Sequence, residues 1–416
     1  MKRILIIAGI AIWLFGCNKY TEVSIPSAGP NSILSETYPL TDTSRSVMNG
    51  IYKVTAGSER FGDQVVLIWS RKNLTVCCSN GNYCVLDAGQ LDSVVMLQGY
   101  WRYAFNDETG LVTGYIGRAE GGTDILKVNT TPSKIIIRGG YGSSGNEVDN
   151  PLQLEYVRPI APAMLWNGFN ILAHRSGGRT SDRLPVSENS IAMINFTEGL
   201  SSTGIEIDIQ LTKDGIPVLY HDDDINIRLC QKGPISGPIH NYTYAQLYYL
   251  VTLVHGEKIP TLEDALRFVV DSTKLRMVYL DMKENVNSMS AVIPIQQEML
   301  QRAKDQGRDL HIYIGIPSST AKDDFMAQPG YLDIPSLCEL TTDDVEQLNS
   351  HVWAPRWTEG TQNEGVDAMH AQGRIAWCWT LDQIQWIQKF IDEGHFDGIL
   401  TNYPFIVSYY HYIRTN

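Results

Sequence analysis

From residue 168 onward, short apolar strands alternate with helical segments over about 245 residues, which is the size and rhythm of an eight-stranded parallel barrel. Strand patterns are predicted at 170–173, 204–210, 217–220, 276–282, 309–314, 374–380 and 397–401. Helical patterns lie between them, such as the one capped by Thr261 and the one that stops at Gly394. Residues 161–416 are therefore predicted to form an α/β domain, a (β/α)₈ TIM barrel.

Four successive predicted strands of this barrel end in ionisable residues. These residues are His174 and Arg175 after the first strand, Glu206 and Asp208 on the second, His221 after the third, and Asp281 and Lys283 at the end of the fourth. Residues two apart on a strand share a face, and barrels of this type place their chemistry at the C-terminal ends of the strands. Burying several carboxylates without a counter-charge is costly, so the pattern indicates a divalent cation.

Each of these residues has an ordinary interpretation when it is taken alone. A histidine that ends a strand is more often a hydrogen-bonded surface residue, and Lys283 could be a solvated lysine. Glu206 and Asp208 could lie on an exposed face, although the isoleucines between and beside them argue otherwise. The joint occurrence at four strand ends is what favours a functional site.

The overall charge narrows the class of partner. The chain has a formal net charge of −13 and no dense stretch of Lys and Arg, so no nucleic-acid partner is expected. An acidic protein that acts on an anionic substrate needs a local positive centre, which a metal ion would supply.

Several motifs give the barrel half a family resemblance. They are AHRSGG at 173–178, SEN at 187–189, IEIDIQLTKDGIPVLYHD at 205–222, IPTLEDAL at 259–266, LDMK at 280–283 and DGILTNYP at 397–404. In this order they resemble the glycerophosphodiester phosphodiesterases over nearly all of residues 170–405. The resemblance implies a TIM barrel with an insertion after the third strand, here at about 222–259. It also implies hydrolysis of small-molecule glycerophosphodiesters to glycerol 3-phosphate and an alcohol, with Mg²⁺ or Ca²⁺ as the cofactor.

The resemblance also assigns a role to each residue of the pattern. Glu206, Asp208 and Asp281 would hold the metal, His174 and His221 would be the general base and acid in an order left open, and Arg175 and Lys283 would bind the phosphate. Glu188 would lie at the metal or next to its ligands. Two alternatives stay open beside this function: a lysophospholipase-D-like or phosphoinositide-cleaving enzyme, and a non-catalytic surface binding module built on the same barrel.

Some positions depart from the family pattern and leave the head group of the substrate undetermined. Asp281 stands where the family usually has glutamate, and Asn402 replaces a more common aspartate. The stretch between His174 and Glu188 is longer than usual and carries additional arginines. The segment DDDINIRLC after His221 lacks the family's usual proline and its arginine-threonine step.

The N-terminal residues predict export. Residues 1–17 combine Lys2 and Arg3 with an apolar run of 13 residues, too short to span a hydrocarbon core of about 30 Å, and resemble a bacterial lipoprotein signal peptide ending at Cys17. Residues 18–45, with several Pro, Ser and Thr, are predicted to be a tether. The protein is therefore expected to be lipid-anchored through Cys17 on the periplasmic or cell-surface side of a membrane.

Residues 46–160 are predicted to form a smaller all-β sandwich or barrel. Short β-branched and aromatic segments at 64–69, 74–78, 94–97, 111–116, 134–137 and 152–157 are separated by turn signals. No catalytic pattern falls here, and the partner of this domain is undetermined. Cys77 and Cys84 flank the hairpin signal Asn80-Gly81, which leaves open a disulfide or two unpaired buried thiols.

Overall fold

The computed structural model describes residues 25–27, 29, 32–127, 132–143, 147–166, 168–283 and 289–415. The predicted signal peptide, Cys17 and the first part of the predicted tether lie outside these residues. Within the described ranges, every helix falls short of the length or the apolar character needed to cross a bilayer.

The first half is a closed antiparallel barrel of eight strands in chain order, in which the last strand returns to pair with the first. Its strands are β1 (Gly50–Ala56), β2 (Gln64–Trp69), β3 (Leu74–Cys78), β4 (Asn82–Leu91), β5 (Val94–Tyr103), β6 (Thr109–Ile116), β7 (Ile136–Tyr141) and β8 (Asn150–Arg158). Three short helices accompany them: α1 (Asp42–Ser46), α2 (Ser58–Phe61) and α3 (Gly122–Ile125). Closure as a barrel decides between the two all-β architectures expected from the sequence.

The second half is a closed barrel of parallel strands, as expected. In the described part of the chain its elements are α4 (Pro162–Trp166), β9 (Asn170–Ala173), α5 (Ile191–Thr197), β10 (Gly204–Leu211), β11 (Pro217–Leu219), β12 (Asp224–Ile225), β13 (Gly237–Pro238), α6 (Tyr244–Leu250), α7 (Leu262–Ser272), β14 (Met277–Met282), α8 (Met289–Asp305), β15 (His311–Ile316), α9 (Ser319–Met326), β16 (Ser336–Cys338), α10 (Thr342–Leu348), β17 (Val352–Trp353), α11 (Asn363–Ala371), β18 (Ile375–Cys378), α12 (Ile384–Glu393), β19 (Gly398–Thr401) and α13 (Pro404–Tyr412). The eight parallel strands follow the order β9-β10-β14-β15-β16-β17-β18-β19, and β19 closes the barrel on β9.

One predicted barrel strand is wrong. The segment 217–220 forms β11, which runs antiparallel to β10 and is not one of the eight barrel strands. The chain leaves the top of the barrel along β10, turns, and comes back beside it, so that the backbone N–H of Tyr220 donates to the carbonyl of Asp208 at 3.0 Å. The insertion therefore follows the second barrel strand and its hairpin, and His221 reaches the barrel top from above.

The two barrels share a core. Residues of the antiparallel barrel, including Ile51, Cys77 and Tyr83, belong to the same buried cluster as the residues packed between the parallel strands and their surrounding helices, such as Ile205 and Phe405. The ring of Tyr83 stacks on Phe405 of α13 with centroids 4.0 Å apart. Burial of this kind is what stabilises a single folded unit, because each barrel covers apolar surface of the other.

The hairpin cysteines are free thiols. Val76, not Cys77, lies opposite Cys84 in the β3–β4 ladder. Successive residues of a strand point to opposite faces, so Cys77 faces the parallel barrel while Cys84 faces the interior of its own barrel. All six cysteines of the described residues are buried and unbridged, and burial raises the pKa of the Cys77 thiol to about 12.

Candidate active site

A sharp turn after β9 brings the first two candidate residues into the barrel mouth. His174 and Arg175 begin a 3₁₀ turn directly after Ala173, and Arg175 has the left-handed backbone angles φ 51° and ψ 46°. Such a conformation is uncommon for a residue with a side chain, and it is held here because the Arg175 N–H donates to Glu206 Oε2 at 2.7 Å.

Three carboxylates meet beside this turn, as predicted from their strand positions. Glu206 and Asp208 lie on β10, and Asp281 is the direct partner of Asp208 on the parallel strand β14. Oxygens of the three side chains lie within 4.8 Å of one another. Although Asp281 is one methylene shorter than the glutamate usual in the family, its side chain still reaches the cluster.

The electrostatics of this acidic cluster call for a cation. Among the residues that the structure describes, none forms a hydrogen bond with the buried Glu206 Oε1, and burial together with the neighbouring Asp208 raises the Glu206 pKa well above its ordinary value. The Lys283 ammonium bridges Asp208 and Asp281. Three clustered carboxylates form an oxygen-only donor set, which suits a hard divalent ion such as Mg²⁺ or Ca²⁺.

His174 is held as a neutral imidazole with a defined proton position. Its Nδ1 lies 2.9 Å from Asn402 Oδ1, while Asn402 Nδ2 donates to Asp382 Oδ2 at 2.6 Å. The amide oxygen of Asn402 therefore accepts from Nδ1–H, and the unprotonated Nε2 points to Glu206 Oε2 at 3.9 Å. Burial and the charge of Arg175 lower the His174 pKa to about 3.

His221 carries its proton on the corresponding nitrogen. Arg175 Nη2 lies 2.7 Å from His221 Nε2, and a guanidinium can only donate, so Nε2 is the acceptor. Nδ1–H then donates to Asp222 Oδ1 at 2.7 Å. Both histidines thus present an unprotonated Nε2 to the same cleft.

Glu188 anchors the arginines of the site. Its buried carboxylate accepts from Arg175 Nη1 at 2.9 Å and from the Thr180 N–H at 2.5 Å, and it lies 3.5 Å from Arg228 Nη1. Glu188 is not among the clustered carboxylates of the described residues. Glu188 was predicted to lie either at the metal or next to the metal ligands, and these contacts favour the position next to the ligands.

Four further residues shape the site and were not assigned roles from the sequence. Asn189 donates from Nδ2 to Asp208 Oδ2 at 2.5 Å and accepts the Asp208 N–H at 3.1 Å. Asp222 pairs with Arg228, and Asp382 holds Asn402. The motifs SEN and YHD contain Asn189 and Asp222 and were a usable signal, whereas no local pattern distinguishes Arg228 or Asp382.

The cleft over these residues has a volume of about 360 Å³, and further residues line it. Tyr279, Glu339, Arg356 and Trp379 also line this cleft. The Tyr279 hydroxyl donates to Glu339, whose pKa is raised to about 8 by burial and by Asp281. The cleft therefore combines an acidic cluster, two imidazole acceptors and several cations within one concave surface.

Comparison with known proteins finds similarity over this half of the chain. The sequence profile of the glycerophosphoryl diester phosphodiesterase family matches residues 174–405. The chain is 24% identical over 254 residues to a glycerophosphodiester phosphodiesterase of Caldanaerobacter subterraneus, covering 56% of this chain and 94% of that protein. A glycerophosphodiester phosphodiesterase of Bacillus altitudinis is 26% identical over 230 residues, covering 51% of this chain and 88% of that protein. Among solved structures, an Oleispira antarctica phosphodiesterase in complex with the product sn-glycerol-3-phosphate aligns with a TM-score of 0.45 at 20% identity, over 57% of this chain and 94% of that one.

Proposed function

Because the chain belongs to the glycerophosphoryl diester phosphodiesterase family and is a phosphodiester hydrolase, we propose that it cleaves glycerophosphodiesters by two-histidine acid–base chemistry assisted by a divalent cation. The products are glycerol 3-phosphate and an alcohol. The observation that carries the proposal is the meeting of two imidazole Nε2 acceptors with three carboxylates and Arg175 in one cleft.

Glu206, Asp208 and Asp281 are the residues that hold the cation in this proposal. When bound, Mg²⁺ or Ca²⁺ supplies positive charge next to the phosphate oxygens. Asn189 orients Asp208 through its two hydrogen bonds, and the Arg175 N–H orients Glu206. These contacts hold both carboxylates of β10 in position before any ligand arrives.

His174 is the general base in this mechanism. Burial keeps its imidazole neutral, and Asn402 holds the proton on Nδ1, so Nε2 is free to take a proton from the attacking oxygen. The attacking oxygen belongs to water, or to the neighbouring hydroxyl of the substrate, in which case water opens the resulting cyclic phosphate in a second step to give glycerol 3-phosphate.

His221 is the general acid. The Asp222 carboxylate next to Nδ1 stabilises the imidazolium, which then protonates the leaving alkoxide from Nε2. Arg175 Nη2 donates to His221 Nε2 at 2.7 Å, so binding of the phosphate by Arg175 would release Nε2 for contact with the leaving oxygen. In this mechanism Arg175 binds the phosphate through two N–H donors of its planar guanidinium, and Lys283 contributes a second positive charge.

The deciding experiment measures glycerol 3-phosphate release by purified residues 18–416. The substrates are glycerophosphocholine, glycerophosphoethanolamine and glycerophosphoinositol, each with EDTA, Mg²⁺ or Ca²⁺. We expect release with a divalent cation and its loss in EDTA and in His221→Ala, whereas the matched control His240→Ala, an exposed histidine of the insertion, retains activity. Turnover that survives both EDTA and His221→Ala would contradict the mechanism.

A second candidate substrate is a lysophospholipid. Ile227, whose neighbour Arg228 contacts the site, is 74% exposed and offers apolar surface to an acyl chain. Lysophosphatidylcholine in the same assay, with choline release as the readout, tests this candidate. The family assignment makes the chain an enzyme rather than a non-catalytic binding module.

We further propose that the protein is exported and lipid-anchored through Cys17, on the basis of the apolar run that ends in Leu14-Phe15-Gly16. Mass spectrometry of the membrane fraction should find acylated Cys17 at the mature N-terminus. Cys17→Ser should release the protein from the membrane fraction. Membrane association that persists in Cys17→Ser would contradict the anchor.

A further inference from the structure

Three cations line the cleft, and two of them are already paired. Arg175 is bound to Glu188 at 2.9 Å, and Lys283 bridges Asp208 and Asp281. Arg356 also lines the cleft, and none of the carboxylates in the described ranges lies within 4.0 Å of its guanidinium, although its charge acts on Glu339 and lowers the pKa of that carboxyl against the stronger effect of burial. Its guanidinium is therefore the cation of this cleft that is available to an anion from outside the protein.

Arg356 rests on a fixed aromatic surface. Its guanidinium carbon lies 4.6 Å from the centroid of the Trp379 ring. The indole N–H of Trp379 donates to the carbonyl of Ala354 at 2.7 Å, and the Trp379 carbonyl accepts from the Trp357 N–H at 3.0 Å. A guanidinium stacked on a ring keeps its in-plane N–H donors free, so the position is ready for a planar or tetrahedral anion.

Barrel geometry separates Arg356 from the acidic cluster. Arg356 follows β17, which in the closed order of eight strands lies four strands from β10 in either direction. Glu206 and Asp208 are on β10, so Arg356 faces them across the barrel mouth. When the phosphate of a substrate is held at the acidic cluster, Arg356 remains available to bind another group of the same substrate molecule.

We propose that Arg356, stacked on Trp379, forms an anion subsite that binds a carboxylate or phosphate carried by the alcohol portion of the phosphodiester. This inference rests on the proposed function and specifies its substrate class. The Arg356 guanidinium lies over one face of Trp379, where its positive charge would repel a quaternary ammonium. Glu339, which lines the same cleft, is hydrogen-bonded by the Tyr279 hydroxyl. A choline head group therefore fits this part of the cleft less well than an anionic head group.

The matched substrates glycerophosphoserine and glycerophosphoethanolamine test the subsite, because they differ only by a carboxylate. The wild-type kcat/KM for the serine substrate should exceed that for the ethanolamine substrate. Arg356→Gln should lower the ratio of the two values about tenfold, the usual effect of losing a charge-assisted hydrogen bond, and Arg356→Lys should give an intermediate ratio. Arg118→Gln, an exposed arginine of the antiparallel barrel, is the matched control and should leave the ratio unchanged.

Two outcomes would overturn the subsite. One is a wild-type ratio that does not favour the serine substrate, and the other is an equal loss on both substrates in Arg356→Gln, which would place Arg356 at the scissile phosphate. Unchanged thermal midpoints exclude misfolding of the variants. If the wild type cleaves neither substrate with any divalent cation, the proposed function fails. The subsite is then tested by calorimetry, which measures the dissociation constants of glycerophosphoserine and glycerophosphoethanolamine for the wild type and for Arg356→Gln. Tighter binding of the serine compound that is lost in Arg356→Gln supports the subsite, and equal binding of the two compounds by the wild type overturns it.

Discussion

Asp222 fixes the proton of His221, so its charge should matter more for turnover than for binding. Asp222→Asn keeps the shape but removes the charge that stabilises the imidazolium. We expect kcat to fall roughly 10- to 100-fold, a share of what an acid–base residue contributes, with KM little changed. Steady-state kinetics on the preferred substrate measures this, with exposed Asp223→Asn as the control. An unchanged kcat in Asp222→Asn would remove Asp222 from the mechanism.

Lys283 balances the charge of Asp208 and Asp281 when no metal is bound. Lys283→Met leaves these carboxylates to repel each other, and in EDTA we expect the free energy of unfolding to fall by about 3 kcal/mol. Mg²⁺ or Ca²⁺ should then raise the melting temperature of the variant more than that of the wild type, since the ion takes over the role of the ammonium. Thermal unfolding with and without metal measures both effects. An equal metal-induced shift in the two proteins would contradict this account.

At the scale of elements, α13 contains a buried histidine that should make stability depend on pH. His411 is 1% exposed, its Nε2–H donates to the Met164 carbonyl at 3.0 Å, and burial lowers its pKa to about 4. The unfolded chain takes up this proton first as the pH falls below about 6.5, so protonation favours unfolding. This histidine should cost roughly 3 kcal/mol of stability between pH 6.5 and 4.

Urea unfolding of the wild type and His411→Gln at pH 4.5, 5.5 and 7 checks this effect. The variant should be less stable at pH 7 but lose less stability on acidification. His395→Gln, an exposed histidine paired with Asp367, serves as the control and should keep the wild-type slope. Equal slopes in all three proteins would show that His411 does not govern the acid response.

Some strands were predicted with their bounds, whereas β1, β4, β16 and β17 were not predicted. The patterns at 64–69, 74–78 and 170–173 coincide with β2, β3 and β9, because apolar runs bounded by turn residues state where a strand begins and ends. The error at β11 has a physical cause. The apolar residues of β11 do not indicate whether the strand runs parallel or antiparallel to its neighbour. That direction depends on the turn that connects the two strands.

Four residues of the candidate site were predictable because chemistry and strand position coincide there, and His221 was predicted although its strand is not one of the eight barrel strands. His174, Glu206, Asp208 and Asp281 stand at ends of parallel strands, and such ends meet at one edge of a barrel. Arg356 and Asp382 also stand just after barrel strands, but arginine and aspartate at the end of a strand are common without function. Their contacts with Trp379 and Asn402 exist only once the barrel has closed.

At the scale of the whole molecule, the two barrels should unfold together. The stacking of Tyr83 on Phe405 and the hydrogen bond from the Thr75 hydroxyl to the Gly199 carbonyl at 3.0 Å lie inside a continuous interface. We expect a single thermal transition for residues 18–416, with the same midpoint by tryptophan fluorescence and far-UV circular dichroism. Residues 161–416 alone should aggregate, since they would expose the surface that the first barrel covers. Two separate transitions, or a soluble isolated catalytic barrel, would contradict this expectation.

Arg102 of β5 is 1% exposed and donates to the carbonyls of Asp182 and Arg183, at 2.8 and 2.7 Å, in the lengthened loop between His174 and Glu188. This loop, which connects two residues of the active site, is thus held in place by a residue from the other half of the chain. A chimera that joins the catalytic barrel to the N-terminal half of another protein would contain this loop but lack the two hydrogen bonds that Arg102 donates to it. Natural variation in β5 is accordingly a place to look for differences in turnover between otherwise identical active sites.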